Sequence, residues 1–307
     1  MFEKFSFKKE LKKRGGRHDN SAWPEKTRAK VIERIYTKQN KQEIKENPDA
    51  KESLEKFKEE LDYALLWGIL EEVARKSGVD TSVLNKISLD KQVIITPEGS
   101  AIGAYHPDMN KISFSSTHLR ESSKAALIHT FVHELIHATS YIETEGLKAR
   151  VGYDQGEGIG AAFNEGVTER LAQQVSMEYA KRSGISKEMA ESVTNALRRT
   201  YVRWVAFVAD IASRIDTYAG VQEGTAWRGM VRGMFEGEFL NNPEFEEFFR
   251  NSYGEDFVEA FKKIPTKHVP IEDQIDFDAQ FRMRSYYTDE GKEILRKWVE
   301  HLGFERM

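Results

Sequence analysis

Between Phe131 and Ser140 the chain reads FVHELIHATS: two histidines four residues apart, a glutamate after the first, and otherwise only apolar, small or hydroxyl side chains. Four residues make about one helical turn, so His133 and His137 share a face, with Cβ atoms roughly 5–6 Å apart. Ile128, Phe131, Val132 and Leu135 mark an apolar stripe along the same stretch, so the helix is expected to be buried. Buried imidazoles need partners for their ring nitrogens. Either two core histidines are satisfied by their neighbours, or the pair faces something that both nitrogens bind.

The chain has no cysteine, so any metal must be held by His, Asp and Glu. Two imidazoles at this spacing can converge on one ion at about 2.0–2.1 Å. Glu134, rotated off the ligand stripe, would reach water beside the ion and act as a general base. A third ligand is then required, and FNEGVTERL supplies a candidate. Glu165 lies 28 positions after His137, at the start of a new helix beyond a glycine-rich loop that can turn the chain back. Glu169 falls on the same face one turn later. Thr168, Ala172 and Ser176 continue that face with small side chains, while Val167, Leu171 and Val175 point into a core. Paired carboxylates here divide into a ligand and a group that orients a ligand imidazole; the plainer account is an exposed Glu pair. Glu157 and Glu169 are the alternative ligands. His129, one turn before His133, either supports the cluster or simply packs. His18, His118 and His301 have no motif around them.

At 307 residues, with 39% hydrophobic and 31% charged side chains, the composition is that of a globular protein of two or three packed units. The expected fold class is α+β, predominantly helical. Residues 1–82 read as a helical amino-terminal region. Its first 47 residues hold 14 Lys or Arg against 7 Asp or Glu, a basic arm. A helix is expected over 25–45, ended by NPDA, and another from Ser53 to Gly78 carrying Leu54, Phe57, Leu61, Leu65 and Ile69. Residues 83–183 form the core with the pentad. VIIT, AIGAYH and KISFS read as strands joined by the turns PEGS and PDMN. A helix over ESSKAALIHTFVHELIHATSYIE follows, capped by Ser122 or Ser123, then a loop and the Glu165 helix. Residues 184–307 read as a helical carboxy-terminal domain that opens on a long helical segment from Lys187 to about Tyr218.

HELIH followed by NEGVTE resembles the gluzincin clan of zinc metallopeptidases, which includes thermolysin-like enzymes and gluzincin aminopeptidases. The resemblance covers roughly residues 92–182 and implies a zincin-like core with a small mixed sheet and an active-site helix. It makes His133, His137 and Glu165 ligands of one Zn2+, Glu134 the general base and Glu169 a supporting carboxylate. It also implies that Gly103, Ala104, Tyr105 and His106, which precede the active-site helix, pair with an extended peptide by strand addition. GAYH lacks the Met-Glu-Asn of the aminopeptidase substrate strand, so endopeptidase is favoured over aminopeptidase.

Peptide hydrolysis also needs a donor for the oxyanion. Tyr153, in the loop before Glu165, is the first candidate; His268, Arg284, Tyr286 and Tyr287 follow. The expected activity is therefore that of a zinc-dependent peptidase acting on peptides or proteins. The alternative is a zincin-fold binding protein without turnover, contacting nucleic acid or an acidic partner through its basic arm. Some antirestriction proteins share the pentad, though a net charge of −4 argues against nucleic acid as the main partner. A third possibility is that residues 1–80 cover the cleft. No stretch has the apolar length of a spanning helix, and the basic start lacks a signal-peptide h-region, so a cytoplasmic protein is expected.

Overall fold

Asn47-Pro48 divides the first two helices, because a proline has no amide hydrogen to continue the ladder and fits the first turn of a new helix. In the computed structural model, which describes residues 25–98, 101–142, 150–153, 161–196, 202–219 and 221–236, α1 spans Glu25–Glu46 and α2 spans Pro48–Glu60. The helix expected from Ser53 to Gly78 is two. The chain breaks at Leu61, and the Asp62 carboxylate accepts the Leu65 amide at 2.9 Å to start α3, Tyr63–Lys76. The break shifts the phase of the apolar stripe. Leu54, Phe57, Leu61 and Ile69 are buried as expected, but Leu65 is only partly buried, and Leu66, Leu70 and Val73 join the core beside them. Gly78 ends α3 at φ 84°, the left-handed conformation glycine adopts without a Cβ clash.

After the short α4, Leu89–Gln92, come β1 (Val93–Thr96), β2 (Gly103–His106) and β3 (Lys111–Ser115). They form one mixed sheet in the order β1-β3-β2, with β1 parallel and β2 antiparallel to the central β3. Asn110, at φ 51°, closes the turn between β2 and β3. Ser115 then caps an unanticipated short helix, α5 (Ser116–Glu121), and Ser123 caps α6 (Lys124–Thr139) by accepting the Ala126 amide.

Every residue of α6 from Leu127 to Thr139 is buried, the polar ones included. β2 and β3 lie against it, and Phe57 and Tyr63 place their rings on Phe131 at 5.7 and 6.2 Å. The helix stops earlier than expected. Tyr141–Ile142 (β4) pairs antiparallel with Arg150–Val151 (β5), where the sequence reads as helix end and loop.

The chain returns as α7, Ala161–Ser183, packed along α6. α8 (Ser186–Ala196) and α9 (Val202–Ala219) lie in the long helical segment expected there. A Cβ at Gly166 would lie 2.7 Å from the Trp204 carbonyl oxygen, so glycine lets α9 cross α7 at backbone contact. Asp216 accepts the amides of Gly224 and Ala226, fixing the start of α10, Thr225–Glu236. One hydrophobic cluster runs from Ala50 to Phe235. Leu54 and Phe57 of α2 and Leu66 and Ile69 of α3 belong to it together with Phe131 of α6, so these two helices are part of the core around the pentad. The fold is predominantly helical with a small mixed sheet, in agreement with the expected class. No helix among the described residues is long and apolar enough to cross a membrane. The basic arm through residue 24, Glu157, and the elements and oxyanion candidates expected beyond residue 236 lie outside the described residues.

Candidate metal centre

The two histidines of the pentad meet Glu165 of α7. His133 Nε2 and His137 Nε2 are 3.2 Å apart, and Glu165 Oε2 lies 3.3 Å from the first and 3.7 Å from the second. Three donors at about 2.0–2.1 Å from a tetrahedral ion would stand roughly 3.3–3.4 Å from one another. The triangle has the size of one face of such a tetrahedron. Among the described residues, His133, His137 and Glu165 are the group able to hold a metal ion. Two imidazole nitrogens and a carboxylate, with no thiolate, suit a divalent ion of borderline softness.

The groups behind the triangle orient it. Glu169, weighed above as an alternative ligand, stands behind His133, its Oε2 2.9 Å from Nδ1. When the ring is neutral, that contact holds the His133 proton on Nδ1 and leaves the Nε2 lone pair toward the cluster. Glu169 Oε1 accepts from His129 Nε2 at 3.0 Å and from Gln173 Nε2 at 2.9 Å. His129 Nδ1 lies 3.3 Å from the Ser176 hydroxyl. His129 is thus part of the support.

His137 is oriented by Asn164, to which sequence reasoning assigned no role of its own. The Asn164 amide oxygen accepts the Tyr153 backbone amide at 3.0 Å, and its nitrogen is 3.3 Å from His137 Nδ1. A metal on Nε2 would put the His137 proton on Nδ1, which then calls for an acceptor; the Asn164 amide can turn its oxygen there only by giving up the Tyr153 amide. Gly152 makes room for this contact: at φ 55°, its Cβ would lie 2.2 Å from Asn164 Oδ1. Asn164 was discoverable as the neighbour of Glu165, one residue round the helix, and Gln173 as the residue one turn beyond Glu169.

Without an ion the cluster is held by shared protons. Burial opposes charge on His133, but bonds to Glu165 and Glu169 outweigh it and hold the imidazole well above its usual pKa. Burial likewise works against the Glu165 carboxylate, yet the His137 and His133 imidazoles keep it well below the usual range. Glu169 is also depressed, burial again being outweighed, here by His129 and His133.

Glu134 is buried beside this cluster and reaches the sheet. Its Oε2 accepts the Tyr105 backbone amide at 2.8 Å. A Cβ at Gly103 would be 2.5 Å from Thr130 Cγ2 and 3.2 Å from Glu134 Cγ, so β2 lies directly on α6 because residue 103 is glycine. Gly103, Ala104, Tyr105 and His106 form an outer strand of the described sheet, the position that strand addition requires. The Tyr105 hydroxyl bonds Asn110 Oδ1, and His106 Nε2 lies 2.8 Å from Ser113 Oγ. Burial pushes His106 down to about 4, and likewise His118, which sits between Thr130 and Ser122.

Tyr153 departs from its expected role. Its hydroxyl is buried and donates to the Met230 carbonyl, with its ring 4.8 Å from that of Phe163. It ties the loop before α7 to α10, and donating to an oxyanion would mean breaking that bond.

No family matches. Family models, curated proteins and solved structures all returned no match to this chain. A functional reading therefore rests on the residues and their geometry.

Proposed function

We propose that the chain is a zinc-dependent peptidase of gluzincin type, an endopeptidase in preference to an aminopeptidase. The observation that carries this reading is the His133–His137–Glu165 triangle, with a separate carboxylate, Glu134, next to it under an outer strand. His133, His137 and Glu165 would hold the zinc, which when bound would supply Lewis acidity and lower the pKa of water at the site. Glu169 and Asn164 keep the two imidazoles pointed inward. Glu134 takes a proton from the attacking water and passes it to the leaving amine. β2 offers its backbone to align the peptide.

Protein purified without added metal should carry about one zinc per chain, as open catalytic zinc sites do, and His137→Ala should lose it. Glu134→Gln should keep the metal and lose hydrolysis of internally quenched peptides. A Glu134→Gln protein that cleaves as fast as the parent removes Glu134 from the role of base.

A second reading, a metal-stabilised binding protein without turnover, draws on Tyr153, the first candidate for the oxyanion, being engaged with Met230. It is the better reading if zinc-loaded parent protein cleaves none of a broad peptide library.

A further inference from the structure

The register of the β2–β3 pair decides which backbone groups of β2 face outward. Ser115 donates its amide to the Ile102 carbonyl, and Gly103 pairs with Phe114. In an antiparallel ladder, hydrogen-bonded and non-hydrogen-bonded pairs alternate. Ile102, Ala104 and His106 therefore turn their backbone groups to β3, while Gly103 and Tyr105 turn theirs to the outer edge. An added strand would bond to those outward groups. One of them, the Tyr105 amide, is already taken by Glu134 at 2.8 Å. The carboxylate is wedged there: its Oε1 and Cγ would lie 3.3 and 3.2 Å from a Cβ at Gly103, so β2 and Glu134 are in direct contact.

The proposed base and the proposed substrate strand thus compete for a single amide hydrogen. We infer that the site acts on peptides long enough to place a backbone carbonyl on the Tyr105 amide, and that this carbonyl displaces Glu134 and frees it to act as base. A peptide too short to reach Tyr105 would bind beside a carboxylate still held by the strand. This selects extended chains over single residues and dipeptides by the rate of the chemical step as well as by affinity. The inference rests on the peptidase reading for its catalytic consequence, but the bond between Glu134 and Tyr105 exists or fails independently of turnover.

The test separates the two. Hydrogen exchange of the Tyr105 amide is followed by NMR in zinc-loaded parent, Glu134→Ala and Glu134→Gln proteins. Glu134→Ala should exchange at least about tenfold faster at Tyr105, the scale of a lost bond to a charged acceptor. Glu134→Gln, which keeps an acceptor oxygen, should stay within a few-fold of the parent, showing that the bond rather than the packing protects the amide. An octaalanine peptide, blocked at both ends, should restore protection to Glu134→Ala, and a blocked dialanine should not. Equal exchange in the parent and Glu134→Ala, or equal protection by both peptides, overturns the inference. In the parent, lengthening a quenched peptide residue by residue should raise kcat about tenfold or more at one step, with a smaller change in KM; a smooth change carried by KM alone also overturns it. If the exchange results hold while no peptide of any length is cleaved, the peptidase reading fails and the latch stands as a contact of a non-catalytic peptide-binding edge.

Discussion

Loading the centre with zinc should release close to one proton per ion at pH 7.5, and that proton should come from His133. In the metal-free protein the bonds to Glu165 and Glu169 hold the His133 imidazole well above its usual pKa despite burial. The ring therefore stays protonated at a pH where a free histidine has mostly lost its proton. Coordination through Nε2 requires the neutral ring, with the remaining proton on Nδ1 against Glu169. Below the folded pKa of His133 each unit of pH should weaken zinc binding about tenfold, roughly 1.4 kcal/mol. Titration calorimetry in two buffers of different ionisation enthalpy counts the protons, and competition with a chromophoric chelator across pH 6.5–8.5 gives the slope. The stability of the metal-free protein should follow the same groups. A raised His133 contributes stability that is fully present below its unfolded pKa and is lost as pH rises through its folded one. Glu165 and Glu169, both depressed, contribute stability present above the unfolded carboxylate range and lost as pH falls through their folded values. Zinc should remove the alkaline loss, because its ligand ring is neutral already. Zinc uptake with no proton released, and an affinity flat across that range, would refute the shared-proton account of the cluster.

Gly103→Ala should cost about 1–3 kcal/mol in chemical denaturation, since its Cβ lands 2.5 Å from Thr130 Cγ2. Adding Thr130→Ser, which removes that methyl and keeps the hydroxyl bonded to His118, should recover most of the loss; no recovery means the contact is not the cause. Asn164→Leu should weaken zinc binding about 10–100-fold. Asn164→Asp, which offers an acceptor to both the His137 Nδ1 proton and the Tyr153 amide, should bind at least as tightly as the parent; equal losses in the two variants would dismiss the orienting role. Tyr153→Phe should lower stability by about 0.5–1.5 kcal/mol by removing its bond to the Met230 carbonyl, with kcat within a few-fold of the parent. A large fall in kcat with unchanged stability would return Tyr153 to the oxyanion.

What was legible in the chain follows from what periodicity records. His133 and His137 fall on one turn, and Glu165 and Glu169 on another. The cluster brings both pairs together because α6 and α7 pack along each other. The break at Leu61 was hidden because the apolar stripe runs into it without interruption. Leu61 is itself buried, and Asp62 is as much at home on a helix surface as at a helix start. β4 and β5 are two residues each, too short to leave a period of their own. Tyr153 misled because a phenol beside a suspected centre looks like a donor. Its acceptor is a backbone carbonyl 77 positions away, which no local pattern reveals.

The polar lining of α6 shows why the site is more than a motif. A helix buried on every side cannot leave imidazoles and a carboxylate without partners at a cost of only a few kcal/mol. Here each nitrogen of His129, His133 and His137 has a polar neighbour: Ser176 and Glu169 for the first, Glu169 and Glu165 for the second, Asn164 and the His133 ring for the third. Of these contacts, the one between the two Nε2 atoms is the poorest, because two like acceptors 3.2 Å apart need a proton or a cation between them. A core assembled only for stability would be better served by apolar residues at both positions. That pair of nitrogens, facing each other across from a carboxylate, is what a divalent ion resolves and packing alone does not.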